Sequence, residues 1–196
     1  MTVGRFTPQR KAVGVNDKFG NKGIKNQQGS TVIKYDTLPL DGRSTYRFFE
    51  QSAQRNFPFS NTGSDGNKLG VGNTLVVERA YLSLVTYDLV AGTFTKVENL
   101  VLASTDPNIL LSELSFSIAN SEVIKNVPIL SWLPEFNKVA ENQINSNFEF
   151  DTQVVIPPLL EYVANLRLPA GVTDRGVYLR LTIEGTGAII APRTTF

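Results

Sequence analysis

Leu160-Glu161-Tyr162-Val163-Ala164-Asn165-Leu166-Arg167-Leu168 and Val177-Tyr178-Leu179-Arg180-Leu181-Thr182-Ile183-Glu184 are two alternating runs. Between them stands Pro169-Ala170-Gly171-Val172-Thr173-Asp174-Arg175-Gly176, a segment rich in breakers. In the first run Leu160, Tyr162, Ala164, Leu166 and Leu168 share one parity; in the second Val177, Leu179, Leu181 and Ile183 do. A period of two sets each apolar group on one face of a pleated strand, so both strands can turn that face to one core. The pattern predicts a long antiparallel hairpin, half buried and half wet, and with it an all-β antiparallel β-sandwich.

Working back from that pair, Phe148 and Phe150 alternate with Glu149 and Asp151, and Leu114, Phe116 and Ile118 alternate with Ser115, Ser117 and Ala119, each predicting a strand. Thr74 to Tyr87 is the longest β-prone stretch and carries apolar residues on both parities. It reads as a strand covered on both faces, by a second sheet and by something else, with 93 to 102 as its hairpin partner. Thr31 to Tyr35 is a short strand. Residues 44 to 54 fit either a capped helix or an aromatic-rich strand. Pro128 and Pro134 argue against a continuous helix or a central strand over 121 to 134, and the spacing of Phe136, Val139, Ala140 and Ile144 behind Pro134 predicts one short helix. The expectation is about eight strands in one domain, 31–196, with no internal repeat.

The chain contains neither cysteine nor histidine. That excludes disulfides, thiolate nucleophiles, thiolate or imidazole zinc sites and every triad that uses histidine as base. No segment approaches the roughly 18 consecutive apolar residues of a membrane span, and no signal peptide is expected. No cofactor is implied and no enzymatic activity is expected. The pair Glu149 and Asp151 shares a strand face and suits a calcium ion or a glycosidase only on paper; a solvated strand face is the simpler reading. The glycines at 70 and 72 and at 185 and 187 lack the rest of a phosphate loop. Phe48, Phe49, Phe57 and Phe59 gather around Pro58, as a stacking platform or as the packed end of a sandwich.

Charge is where the chain is uneven. Residues 1–30 hold Arg5, Arg10, Lys11, Lys18, Lys22 and Lys25 against Asp17, net +5, while the remaining residues carry 13 Lys and Arg against 17 Asp and Glu, net −4. With glycines throughout and no apolar period, 1–30 reads as an extended basic arm. The six basic residues are the candidate nucleic-acid contacts. Val3, Phe6, Val13, Val15, Phe19 and Ile24 are the candidate contacts with neighbouring subunits. Single spacing of the charges among apolar side chains favours threading between subunits over a polyelectrolyte's grip on phosphate.

The basic Gly/Asn arm, the stretch FFEQSAQRNFPFSN, the strand NTLVVERAYLSLVTY and the closing pair LEYVANLRLP and GVYLRLTIEGTG together resemble the jelly-roll capsid proteins of small tailless icosahedral phages and viruses. The resemblance covers most of the chain as an order of elements. It implies a jelly roll of eight strands in two sheets, assembly with copies of itself and other virion proteins into a shell, an arm that reaches neighbours or viral nucleic acid, and a place in the virion after assembly in the host cytoplasm. It carries no catalytic residues. A carbohydrate-binding sandwich or fibre-tip attachment module, using the aromatics near Phe57 and the loop at 62 to 67, is the alternative.

Overall fold

The computed structural model describes residues 8–16, 18, 27–50, 57–62, 67–99, 106–132 and 148–190. In chain order these form α1 (Pro8–Asn16), β1 (Gln27–Asp41), β2 (Thr45–Phe48), β3 (Thr74–Asp88), β4 (Thr93–Asn99), α2 (Pro107–Leu110), β5 (Glu113–Ile118), β6 (Ser121–Pro128), a 3-10 turn (Ile129–Trp132), β7 (Phe148–Ile156), β8 (Tyr162–Arg167) and β9 (Thr173–Ile190). The chain is an all-β sandwich of two antiparallel sheets. Sheet A runs β1-β9-β3-β4, with β7 pairing the other end of the same edge of β3 that β4 occupies; sheet B runs β2-β8-β5-β6. With β4 set aside, the remaining eight strands pair first with last, second with seventh, third with sixth and fourth with fifth. That is the pairing of one long hairpin folded over on itself.

The expected hairpin between 160 and 184 is corrected. β8 belongs to sheet B and β9 to sheet A, so the two runs stack across the core without pairing side by side. Alternation fixes which face is apolar and is silent on whether a partner lies beside or opposite. The loop between them is held at the sheet-to-sheet crossing: Leu168 N–H donates to Ser44 O, and Gly42 N–H donates to Val172 O. A Cβ on Gly171 would overlap the Gly42 carbonyl oxygen, so only glycine lets the two loops cross this closely. The inward faces are as the parity reading had them. Tyr162, Ala164 and Leu166 meet Leu179, Leu181 and Ile183 in a core shared with Leu114, Phe116, Tyr46, Phe48 and Leu82.

β3 departs from its parity reading. A register shift between Val77 and Arg79 inserts Glu78 as a bulge, and the side chains beyond it change faces. Leu75 and Val77 before the bulge and Ala80, Leu82 and Leu84 after it therefore all face the core, although they fall on opposite parities in the sequence. Val76 and Val85 remain on the outer face, and both are buried there.

Within 1–30, read as extended, the described residues include the helix α1 and the first residues of β1. Pro8 sits at the first helical position, where its missing N–H costs nothing. Nine residues with a mid-helix glycine do not make a stable helix in water, so the helix exists because its Ala12 face is buried. Residues 45–48 of the ambiguous 44–54 segment are strand. β6, which contains Pro128, is an edge strand interrupted by register shifts, the place where a proline-terminated strand is tolerated. The helix expected after Pro134 lies outside the described residues. No helix among the described residues is long and apolar enough to cross a membrane.

Candidate interaction surfaces

Among the described residues, the outer face of sheet A carries two separate coverings. At the start of β3, α1 lies on the sheet: Ala12 is fully buried with Val76 and Ala188, and Val13 and Val155 pack at the margin. Lys11 Nζ donates to Gln153 O at 3.1 Å, tying the helix to β7. The covering expected over the outer face of the 74–87 strand is thus, at Val76, the chain's own helix. Of the arm residues singled out in the sequence, Lys11 and Val13 are engaged with their own sheet, Val15 is half-buried, and Arg10 and Lys18 are exposed. Val3, Arg5, Phe6, Phe19, Lys22, Ile24 and Lys25 lie outside the described residues.

At the other end of the same face, Phe59 from the 57–62 loop packs on Tyr87, Phe94 and Tyr178, with ring centroids 5.1, 5.2 and 5.6 Å away. Tyr87 in turn meets Phe94 at 5.0 Å, edge to face. Arg180 closes the cluster. Its guanidinium lies over the rings of Tyr35 (4.7 Å) and Phe94 (5.0 Å), Nε donates to Thr37 Oγ1 and Nη2 donates to Pro58 O, each at 2.9 Å. Burial lowers the Arg180 pKa, Tyr35 opposing, and no carboxylate among the described residues pairs with it. The arginine is a clamp that holds the loop against the sheet by bonds that need a planar fork. Arg180→Ala is expected to cost about 2 kcal/mol, the worth of charge-assisted hydrogen bonds and ring contacts, with Arg180→Lys recovering little of it. Urea unfolding measures the loss, and limited proteolysis next to Phe57 reports the release of the loop.

The same loop closes the edge of β1 between Ile33 and Asp36. Asn61 N–H donates to Tyr35 O, its Oδ1 accepts Tyr35 N–H at 2.8 Å, and its Nδ2 donates to Ile33 O at 2.8 Å. One asparagine thereby supplies what a neighbouring strand would, and blunts the edge. Asp36 links the sheets from within: its buried carboxylate accepts Phe49 N–H at 2.7 Å, beyond the end of β2, and Thr37 N–H at 3.0 Å.

The aromatic group around Pro58 therefore splits in three. Phe48 and Phe49 are inside the core, Phe59 belongs to the outer cluster, and Phe57 stands 84% exposed. The rings of the outer cluster pack on one another at 49–76°, which is the geometry of packing and not of a flat platform for a sugar or base. Glu149 approaches Arg79 at 3.8 Å, and the side chain of Asp151 lies outside what is described. No group of three or more acidic side chains that could hold a metal is found among the described residues. Gly185 and Gly187 pack against the backbone of β3 and the side chains of β1, an architectural need that accounts for both. A cavity of about 320 Å³ opens between the start of β3 and β1, with Val32, Leu69 and Leu75 in its wall and Lys34, Lys68 and Asn73 at its polar side. Lys68 pairs there with Glu161 at 3.2 Å.

No protein-family model matches the chain, and no curated protein matches it. What the surfaces offer is contact area, a loop clamped to the sheet by Arg180 and an edge blunted at Asn61. Sequence reading missed Arg180, Asp36 and Asn61, since each is an ordinary polar residue in a strand or loop until long-range neighbours give it a role.

Proposed function

We propose that the chain is a structural shell subunit of a virion, built on a jelly roll and working by self-assembly. The observation that carries this reading is the strand order: first with eighth, second with seventh, third with sixth, fourth with fifth, wrapped into two four-stranded sheets once β4 is set aside, which is the arrangement expected of a jelly roll. The sequence resemblance to capsid proteins points the same way. Copies of the chain and other virion proteins are the partners. Viral nucleic acid is the further partner that the basic arm would meet, with Arg10 and Lys18 exposed for it. The interlocking role proposed for the arm falls on residues other than Ala12 and Val13, which cover the chain's own sheet.

The second reading, a carbohydrate-binding or attachment module, draws on the use of jelly rolls as lectins and on the exposed ring of Phe57. Negative-stain electron microscopy and size-exclusion chromatography with light scattering of the purified protein separate the two. Closed particles of uniform diameter, or discrete capsomers, are expected. A monomer of 21.6 kDa at every concentration that is retained on a glycan column would favour the attachment module and overturn the shell reading.

A further inference from the structure

β4 is the strand that the folded hairpin leaves over. It adds to sheet A along the second half of β3, from Ser83 to Asp88, and among the described residues no strand pairs with its other edge. A bare edge presents a row of backbone donors and acceptors. Unlike β1, whose edge Asn61 occupies at Ile33 and Tyr35, β4 has no such plug among the described residues.

Its side chains are arranged to meet themselves. Val97 lies opposite Val85, on the outer face of sheet A, and is 60% exposed in the middle of the strand. Lys96 and Glu98 flank it on the other face and pair along the strand, Nζ to Oε1 at 2.8 Å. Turn a second copy about a twofold axis through Val97 and the strands run antiparallel. Val97 then meets Val97, Lys96 meets Glu98 and Glu98 meets Lys96. A slide of one residue sets each charge against a neutral side chain, and a slide of two sets lysine on lysine or glutamate on glutamate. Opposite charges directly across a pair of strands stabilise it and like charges destabilise it, so one register is singled out. Charges on an edge strand more often block pairing. Here the two signs, spaced by two residues, cancel against an antiparallel copy of themselves.

We infer that β4 is a self-pairing edge, at which two copies of this chain join β4 to β4 about a twofold axis through Val97 and continue sheet A from one copy into the next. The contact is independent of the shell reading, because a pair of chains forms it whether or not larger particles follow.

The full chain has no cysteine, so Val97→Cys introduces a single thiol at an exposed position. Residues directly opposite in antiparallel strands have Cα atoms about 4.5–5.5 Å apart, within the roughly 4.4–6.8 Å that a disulfide spans. Mild oxidation is expected to convert most of the protein to a disulfide-linked dimer on a denaturing, non-reducing gel, which reads the contact even from inside a larger particle. Val123→Cys, on the edge strand β6 and 44% exposed, is the control and is expected to stay monomeric. Adding Glu98→Lys to Val97→Cys sets lysines against one another and should slow the crosslinking at least tenfold. Adding Lys96→Glu as well swaps the charges, restores complementarity and should restore the rate. Crosslinking of Val97→Cys no faster than the control overturns the contact, and a charge swap that fails to restore the rate overturns the register.

Discussion

Gly185→Ala is expected to be strongly destabilising. Gly185 lies on β9 opposite the β3 bulge, and a Cβ there would overlap the Val76 carbonyl oxygen, with the Val76 carbonyl carbon 2.8 Å and Glu78 N 3.0 Å away. All three are backbone atoms in the middle of a sheet, so no flexible side chain can move aside. Overpacking costs ~1–3 kcal/mol where neighbours can adjust, and this site is at the upper end or beyond it. For a chain of this size, ~3 kcal/mol lowers Tm by roughly 6–12 °C. Gly14→Ala is the control: a Cβ there meets nothing within 4 Å, and the position is in the interior of α1. It should stabilise by about 0.5–1 kcal/mol. Urea unfolding of the two variants decides the matter, and a loss under 1 kcal/mol for Gly185→Ala would show that the bulge does not fix the position.

The second large effect is expected at Tyr162. Its ring sits 1% exposed in the core, 5.3 Å from Phe49 and 6.3 Å from Phe116, so Tyr162→Ala should cost about 3–5 kcal/mol through lost burial and the cavity left behind. Tyr162→Phe should behave in the opposite way. Among the described residues the hydroxyl is buried without a hydrogen-bond partner, and removing it relieves a desolvation cost, leaving stability unchanged or raised by about 1–2 kcal/mol. Burial first, and the Asp36 carboxylate second, raise the phenol pKa well above its ordinary value. The unfolded chain therefore loses this proton near pH 10 while the folded chain keeps it, so stability falls as pH rises above about 10, by up to ~1.4 kcal/mol per unit from this group. Tyr162→Phe should remove that share of the alkaline loss. Equal alkaline slopes for the two proteins would show that the phenol titrates alike in both states.

The strands on either side of the core were legible because side-chain direction alternates with sequence position, whatever the partner. That is why β5, β8 and the first part of β9 could be read from Leu114, Tyr162 and Leu179 and their neighbours. β3 was legible as a strand and misleading as a pattern, since Glu78 is an extra residue only with respect to β7 and β9, and nothing local marks it. The helix α1 was hidden for the complementary reason. Its nine residues have little helical tendency of their own, and the shelf of Val76 and Ala188 that Ala12 covers is built from residues dozens of positions away. The surfaces were harder still: Arg180 lies far in sequence from Thr37, Pro58 and Tyr35, and only the assembled sheet brings them within bonding distance.

By itself, then, the sequence determined an all-β chain with its apolar parities turned to one core, and excluded every chemistry that needs a thiol or an imidazole, because composition and period are properties of the chain alone. The tertiary structure decided which strands pair and which stack, where the bulge reverses β3, what covers the outer face of sheet A at Val76, and, among the described residues, where Asn61 blunts the edge of β1 while the edge of β4 meets no partner strand. Those depend on contacts between residues far apart in the chain, and such contacts exist only once loop crossings such as Gly42 against Gly171 have fixed how the hairpin folds over.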